Sequence, residues 1–468
     1  MLSNFLQHTR CPETLVEPLL FNSREQSVDD KNIPKVFGNE KINTEWFPPS
    51  EGERLVASVR RYLDGDSLAV TPSDLNAAIG VLHLEQYVDN AVQYESQSLI
   101  KQFIRQTYYA MRPLFPVSFR KYLQRTALRG WDTIPFPSWP VDLTTEQIME
   151  SIWKLLLRSQ DINEIPFIWF WPMGYESCCI MTHDVETMAG RDFCRAMMQM
   201  ESQYGINSAF EIVPEERYEV PHDFLQQIRE AGCEVCIHGL NHDGHLFSSN
   251  RIFFERAEKI NRYAEDWGVI GFRSPVLYRN LKWLYALKFS YDMSVPNVGH
   301  LDPQRGGCCS VMPYFISDIL ELPLTTIQDY SLYHILQQRS LDLWKQQIGM
   351  IQERHGLISF IIHPDYSTDT WSRKLYDALL EYLANLRSDS ELWIALPREV
   401  DSWWRARTSM ELVNQDGRWR IRGPQAERAR IAYASIENDR IVYRIDQEEA
   451  IAVHRQASEL DRHALDSP

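Results

Sequence analysis

The sequence predicts an α/β fold built on a parallel sheet, and two observations lead to this prediction. Strand-like and helix-like segments alternate from about residue 167 to 407, which is the order typical of parallel sheets. Polar side chains also recur where four strand-like segments end, at Asp184, His238, Arg273 and His363. Open doubly wound sheets and barrels both gather their chemistry at the carboxyl ends of strands, so these residues predict a shared site.

The predicted elements follow one another in chain order. Strands are predicted at 177–182, 208–213, 233–238, 271–275, 291–295, 320–324, 357–363 and 392–396. Helices are predicted at 191–205, 222–232, 251–267 and 371–386. On the first of these helices, Phe193, Met197, Met200 and Tyr204 recur at helical spacing, which predicts its buried face.

The regions on either side of the alternating part have different patterns. Residues 1–165 predict a mainly helical N-terminal region after a polar start. Residues 166–407 contain the alternating strands and helices. Residues 408–468 alternate around turn signals and then become charged, which predicts a small β-hairpin appendage with a charged tail.

Composition excludes several classes of protein. The net charge of −16 over 468 residues argues against nucleic acid as the main partner. No apolar run is long enough to span a bilayer, and the first residues lack a secretory pattern, so a cytoplasmic location is expected. Eight cysteines fit a reducing compartment. Residues 96–130 contain seven basic and no acidic residues, which favours a solvated face or pairing with an acidic neighbouring domain, with contact to anionic lipid headgroups as the alternative.

A histidine cluster follows the strand predicted at 233–238. The segment HGLNHDGH contains His238, His242 and His245, with the first two spaced as H-x-x-x-H. Gly239 and the Asp243-Gly244 pair predict a turn rather than a helix, and a turn at a strand end can still aim two imidazoles at one point. Two imidazoles and one carboxylate are typical ligands of zinc and leave positions open for water and substrate. The alternative is a polar loop with solvated histidines.

The segment THDVE, at 182–186, provides the carboxylates. Residues two apart in an extended segment point to the same side, so Asp184 and Glu186 can share one site. One carboxylate can bind a metal and the other can accept a proton. The alternative for Glu186 is a first-turn acid of the following helix, and His183 is then the next candidate ligand.

Five ordered motifs resemble those of the polysaccharide deacetylase family, the NodB-like carbohydrate esterases. The motifs are THDVE at 182–186, HGLNH at 238–242, RSPV at 273–276, the aspartate of YDMSV at 292, and FIIH ending at 363. Three positions differ from the family pattern. Val185 stands where the family has its metal-binding aspartate, which makes this a D-x-E variant, Gly239 replaces Ser or Thr, and Pro296 replaces a frequent tryptophan.

The resemblance implies a fold and a set of catalytic roles. The fold is a distorted (β/α) barrel at 166–407, with the N-terminal helical region and the C-terminal hairpin appendage outside it. Asp184 would be the general base, oriented by Arg273. His363 would be the general acid, tuned by Asp292.

The resemblance also implies a divalent metal, with zinc as the expected ion, bound by Glu186, His238 and His242. The implied reaction is removal of an N-acetyl group from a sugar, such as an intracellular polysaccharide precursor. Two alternatives stay open. One is hydrolysis of a formyl group or another small amide, and the other is a glycan-binding pseudo-enzyme without turnover.

Overall fold

The structure is a computed structural model. It describes residues 3–16, 126, 128–388 and 391–446, together with scattered positions between 55 and 83. Almost all of the basic segment 96–130 lies outside the described residues, and so does the charged tail after 446. Within the described residues, no helix combines the length and the apolar character needed to cross a membrane.

The described helices and strands alternate over most of the chain. The helices are α1 (Ser3–Thr9), α2 (Thr144–Ser159), α3 (Met188–Gln203), α4 (His222–Glu230), α5 (Asn250–Trp267), α6 (Asp342–Gln352), α7 (Thr370–Ser388) and α8 (Pro397–Thr408). The strands are β1 (Glu164–Ile168), β2 (Ser177–Val185), β3 (Ala209–Ile212), β4 (Glu234–His238), β5 (Gly271–Arg273), β6 (Tyr291–Asp292), β7 (Tyr314–Ile316), β8 (Ile319–Glu321), β9 (Leu357–Ile361), β10 (Leu392–Ile394), β11 (Glu411–Gln415), β12 (Arg418–Arg422), β13 (Ile431–Glu437) and β14 (Arg440–Ile445).

The chain divides into two compact units. One contains 1–81, 145–175 and 402–468, and the other contains 82–144 and 176–401. The boundaries predicted from the sequence, at 165 and 407, stay a prediction.

The first unit contains an antiparallel sheet of β1, β13 and β14 and a separate hairpin of β11 and β12. The aromatic run at 165–172 begins in β1, and its Phe167, Trp169 and Trp171 are almost fully buried. Large aromatic side chains contribute much of the apolar area in a core. This run therefore packs the first unit.

The second unit is a curled sheet with helices, the distorted (β/α) barrel that the sequence predicts. Strands β2 to β6 and β8 pair in parallel in the order β2-β3-β4-β5-β6-β8, and β9 and β10 also pair with β2 in parallel. After β8, the Thr326 N–H donates to the Ser359 carbonyl in β9 at 3.3 Å, which joins the far side of the sheet to β9. The carboxyl ends of these strands therefore meet at one rim.

The buried face of α3 differs from the predicted face by one residue. The buried positions are Gly190, Cys194, Met197 and Glu201, whereas Phe193, Met200 and Tyr204 are only partly buried. Of the predicted stripe, only Met197 lies at the centre of the contact. Glu201, four residues after Met197, belongs to the buried face because its carboxylate pairs with a buried histidine of β2.

Candidate metal centre

Strand β2 ends with a carboxylate that is held by a buried arginine. Asp184 Oδ1 accepts a hydrogen bond from Arg273 Nη1 at 2.7 Å. The same nitrogen donates to Thr182 Oγ1 at 2.8 Å, and Arg273 Nε donates to the Met293 carbonyl at 3.0 Å. Arg273 is fully buried, and its guanidinium geometry leaves little freedom once these bonds form. Oδ1 of Asp184 is therefore fixed, and Oδ2 is the oxygen left for chemistry.

Charges around Asp184 keep it ionised. Burial alone would raise the pKa of Asp184, but the nearby His238 and Arg273 outweigh burial and lower the pKa below its ordinary value. A second carboxyl group, that of Glu211, also approaches the arginine, with Oε2 3.5 Å from Arg273 Nη1. Burial raises the pKa of Glu211 well above its ordinary value. Arg273 therefore contacts two carboxyl groups, of which Asp184 is ionised and Glu211 favours the protonated form.

Three side chains next to Asp184 form a candidate metal centre. Glu186, His238 and His242 each offer a ligand atom, and these atoms all lie within 4.8 Å of one another. His238 Nδ1 is 3.2 Å from the Arg273 carbonyl, which directs Nε2 towards the other two residues. Burial lowers the pKa of His238 to about 4, so the ring is neutral at pH 7. A neutral imidazole is the form that binds metal.

Unpaired nitrogen atoms test whether these residues fit a metal. Among the described residues, His238 Nε2 and both ring nitrogens of His242 are buried without a hydrogen-bond partner. Glu186 Oε1 lies 2.9 Å from His242 Nε2, so the carboxylate and the imidazole already face each other across the centre. Buried polar atoms without partners are costly and uncommon. Two nitrogens and a carboxylate oxygen facing one point fit a zinc-type ion.

The turn after β4 explains one departure from the family pattern. Gly239 has φ +62°, which L side chains rarely adopt. A Cβ there would also collide with the ring of Pro275. His242 has φ 53°, and such values are uncommon outside functional or turn positions. The tight turn from Gly239 to His242 brings both imidazoles to the same side, as the sequence predicts for a turn rather than a helix.

His363, the predicted acid, contacts a carboxylate that the sequence did not indicate. Asp329 Oδ1 is 2.6 Å from His363 Nδ1, and Asp329 Oδ2 accepts from the His363 backbone N–H at 2.8 Å. On its other side, His363 Nε2 is 3.5 Å from Glu186 Oε1. Burial lowers the pKa of His363, but Asp329 and Glu186 outweigh burial and raise the pKa well above its ordinary value. The ring is therefore held in its protonated form.

Asp292, predicted to tune the acid, makes its hydrogen bonds with other neighbours than His363. Its Oδ1 accepts from Ser294 Oγ and from the Met293 backbone N–H, and Glu321 is its neighbouring carboxyl group. Burial raises the pKa of Asp292 to about 6. No hydrogen bond joins it to His363 within the described residues. The carboxylate that contacts the predicted acid is Asp329, and the tuning role of Asp292 remains a prediction without a contact that supports it.

Asp365 ties the turn that carries Glu186 to the loop that carries His363. It accepts a hydrogen bond from Thr187 Oγ1, and its Oδ2 is 3.4 Å from the Glu186 backbone nitrogen. Thr187 Oγ1 caps α3 by accepting from the Gly190 N–H at 3.3 Å. A Cβ at Gly190 would collide with the Asp365 carboxylate. Gly190 therefore allows the close approach of Asp365 to the start of α3.

The other two histidines of the predicted segments lie outside the centre. His183 points to the opposite face of β2, where Nε2 is 2.6 Å from Glu201 Oε1 and Nδ1 is 2.9 Å from the Ile362 carbonyl. Both of its nitrogens are thus engaged away from the centre. His245 is half-exposed in the loop, with Nδ1 3.7 Å from Asp243 Oδ2.

The fold and the site together define a (β/α) barrel with a candidate metal centre at the rim formed by its strand ends. No family model matches the chain, and no curated protein matches it. Solved structures similar to the chain include polysaccharide deacetylases, the family that the five sequence motifs resemble.

Three of these structures illustrate the similarity. A candidate polysaccharide deacetylase from Mycobacterium smegmatis has a TM-score of 0.41 and 18% identity, over 51% of this chain and 93% of its own. PuuE allantoinase has a TM-score of 0.39 and 12% identity, and the match covers 50% of this chain and 92% of the allantoinase. The peptidoglycan deacetylase PdaC from Bacillus subtilis has a TM-score of 0.31 and 13% identity, and the match covers 48% of this chain and 90% of PdaC. At such values the similarity carries no argument about activity, which depends on the site itself.

Proposed function

We propose that this protein is a metal-dependent hydrolase that removes an N-acetyl group from a sugar. One observation carries the proposal: two groups suited to be base and acid border the same three candidate ligands. Asp184 Oδ2 is 3.6 Å from His238 Nε2. His363 Nε2 is 3.5 Å from Glu186 Oε1. A carbonyl group bound at these ligands would have both a proton acceptor and a proton donor near it.

The metal would be held by Glu186, His238 and His242, with zinc as the expected ion. Two imidazoles and a carboxylate leave a position open for water or substrate. When bound, such an ion polarises a carbonyl group and lowers the pKa of a coordinated water. The neutral state of His238 supports this assignment because a protonated ring cannot bind.

Asp184 is the proposed base. Its Oδ1 is occupied by Arg273, so Oδ2 accepts the proton of the attacking water. The water oxygen forms its bond to the amide carbonyl carbon as that proton leaves. Arg273 keeps Asp184 ionised and oriented, which makes Arg273 a positioning residue.

His363 is the proposed acid. Asp329 occupies Nδ1, so the proton on Nε2 is the one available to the substrate. When the carbon–nitrogen bond breaks, the departing nitrogen takes this proton and leaves as an amine. The raised pKa of His363 supports the assignment because an acid must carry its proton at the working pH.

The deciding experiment measures acetate release from N-acetylglucosamine and its β-1,4-linked oligomers. Protein stripped with a chelator is compared with protein that has received one equivalent of zinc. Zinc-dependent acetate release supports the proposal. N-formyl sugars and N-acetyl amino acids, included in the same panel, test the alternative of another small amide. A folded protein that binds zinc and glycan but releases no acyl group from any substrate would overturn hydrolysis in favour of binding alone.

A further inference from the structure

The two candidate imidazole ligands differ in what orients their rings. His238 Nδ1 lies 3.2 Å from the Arg273 carbonyl, and a bond through the second ring nitrogen is the usual way in which a protein fixes a metal-binding imidazole. Within the described residues, Nδ1 of His242 has no such partner, while its Nε2 faces Glu186 Oε1 at 2.9 Å across the centre. The ring of His242 must therefore be positioned through the backbone of the turn that carries it.

The residue after His242 is anchored to helix α5. Arg256 Nη1 donates to Asp243 Oδ1 at 2.7 Å, and Arg256 Nη2 donates to Asp243 Oδ2 at 2.6 Å. Such a bidentate pair fixes direction as well as distance. Asp243 Oδ1 also accepts from the His245 N–H at 2.8 Å. The support matters because His242 has φ 53°, a conformation that costs free energy in any residue other than glycine.

The residue before His242 is bonded to the same guanidinium. Arg256 Nη1 donates to Asn241 Oδ1 at 3.3 Å, and Asn241 Nδ2 donates to Glu216 Oε2 at 3.3 Å. Asn241 is buried, and the side chain of Arg256 is only 21% exposed. One guanidinium thus holds the residues on both sides of His242, Asn241 and Asp243.

The loop that carries Glu216 is itself fixed to the end of β2. Arg217 Nε donates to the Glu186 carbonyl at 2.9 Å, and Tyr218 Oη donates to the Val185 carbonyl at 2.6 Å. These bonds do not involve α5, so the end of β2 is held independently of it. The histidine turn is therefore aligned against a loop that is bonded to the backbone of the carboxylate ligand.

We propose that Arg256 is a positioning residue that holds His242 in the orientation for metal binding. It acts through the two neighbours of His242, Asn241 and Asp243. The inference rests on the metal centre of the proposed function and adds to it a residue of helix α5 that belongs to none of the sequence motifs. An ion pair with a purely structural role would leave the affinity of the centre for zinc unchanged.

The test is a calorimetric titration of the chelator-stripped protein with zinc, which needs no turnover. Arg256→Gln should raise the Kd for zinc by about 10–100-fold, the usual cost of losing a group that orients a metal ligand. Arg256→Lys should restore part of the affinity, because an ammonium can contact Asp243 but cannot form the two parallel bonds. Arg251→Gln is the matched control, since it removes an exposed pair with Glu255 from the same helix, and it should leave the Kd unchanged.

The same titration in a His242→Ala background separates positioning from general loosening of the fold. There, adding Arg256→Gln should leave the weaker zinc affinity unchanged, because the ligand through which Arg256 acts is gone. A further rise in Kd in this background would overturn the inference, and so would a normal Kd for Arg256→Gln alone or an equal rise for Arg251→Gln. A native protein that binds no zinc would refute the metal centre and this inference together. Zinc binding with these effects, but without acetate release, would support the inference and count only against the proposed reaction.

Discussion

Two clusters of histidine and carboxylate lie on opposite faces of β2, and they differ in how their polar atoms are satisfied. In the closed cluster, His183 pairs with Glu201, whose carboxylate also accepts from Ser208 Oγ and Tyr376 Oη at 2.7 and 2.5 Å. The open cluster is formed by Asp184, Glu186, His238, His242 and His363. There, within the described part of the chain, three imidazole nitrogens make no hydrogen bond, although His242 Nε2 lies 2.9 Å from Glu186 Oε1 and His238 Nε2 3.6 Å from Asp184 Oδ2.

The difference shows how a structural pair can be told from a functional one when the residue types are the same. A buried pair with all its bonds made needs nothing from outside. Buried nitrogens without partners cost free energy unless an ion or a substrate satisfies them. This distinction can be tested with variants of each cluster. It would be wrong if changes in the open cluster affected only stability, or if changes in the closed cluster affected metal binding.

The largest effect is expected when the two candidate imidazole ligands are removed together. His238→Ala with His242→Ala should abolish zinc binding, because a single carboxylate remains of the three ligands. Elemental analysis of protein purified without chelator should fall from one equivalent of metal per chain to none. His245→Ala, which removes a half-exposed histidine of the same loop, should retain the metal. Full metal content in the double variant would refute the centre.

The next largest effects are expected from the two carboxylates of the open cluster, and they should differ between metal binding and catalytic rate. Asp184→Asn should keep the metal and lose on the order of 10²–10⁴ in kcat, because an amide is a poor proton acceptor. Glu186→Gln should weaken zinc affinity, and excess zinc should restore part of the activity. Metal titration and acetate release, measured on the same preparations, check both variants. An Asp184→Asn protein that has lost its metal, beside a normal Glu186→Gln protein, would reverse the assignment.

The closed cluster should respond in stability rather than in metal content. Glu201→Leu leaves His183 buried without its partner, and breaking a buried pair in this way costs about 3–5 kcal/mol. Denaturant unfolding measures the loss. The folded fraction should still bind one equivalent of zinc. Loss of zinc binding with unchanged stability would mean that the closed cluster belongs to the centre.

One buried carboxylate outside both clusters gives a stability effect that depends on pH. Glu234 accepts from Tyr291 Oη at 2.6 Å and from the Arg398 N–H at 3.0 Å. Burial nevertheless raises its pKa from 4.5 to about 7. The folded protein thus holds a proton that the unfolded chain releases near pH 4.5, so stability is lost as pH rises through about 7.

Glu234→Gln should remove this loss. Relative to the native protein, the variant should gain stability between pH 5 and 8, by an amount on the order of 3 kcal/mol. Urea unfolding at the two pH values measures the change. Asp243→Asn is a suitable contrast, because Arg256 and the His245 N–H outweigh burial and lower the pKa of Asp243. A constant difference between native and variant protein across this range would contradict the raised pKa.

Much of the barrel could be predicted from the sequence because strand ends carry a clear pattern. Asp184, His238, Arg273 and His363 all follow apolar runs, and parallel strands bring their carboxyl ends together. The turn at Gly239 was also predicted, although its cause, the close approach of Pro275, was not. Such contacts join residues that are distant in the chain and leave no local pattern.

Asp329 shows why the rest could not be predicted. It lies in the segment after β8, outside any periodic run, and nothing in its neighbourhood indicates a partner. Its position depends on the contact of Thr326 with Ser359, which aligns this segment with β9 and brings Asp329 beside His363. Asp292 ends a strand and matches a motif position, so the sequence resemblance assigned the carboxylate that tunes His363 to Asp292 and not to Asp329.

Variants of Asp329 and Asp292 should differ in how they change the pH dependence of kcat. Asp329→Asn should lower kcat by about 10–100-fold, the usual cost of removing a carboxylate that orients a functional histidine. It should also lower the pKa of His363, since Asp329 is a main cause that raises it. The acid works only when protonated, so the alkaline limb of the pH profile of kcat should move to lower pH. A purely structural role would reduce kcat without moving this limb.

Asp292→Asn is the matched control for that measurement. Its carboxyl group bonds to Ser294 and Met293, so the alkaline limb should stay where it is in the native protein. If Asp292→Asn moves the limb and Asp329→Asn does not, the role implied by the sequence resemblance is right and the contact at 2.6 Å between Asp329 and His363 has no part in the acid's pKa. Metal content, determined for both variants, ensures that the two profiles compare proteins with the same occupied centre.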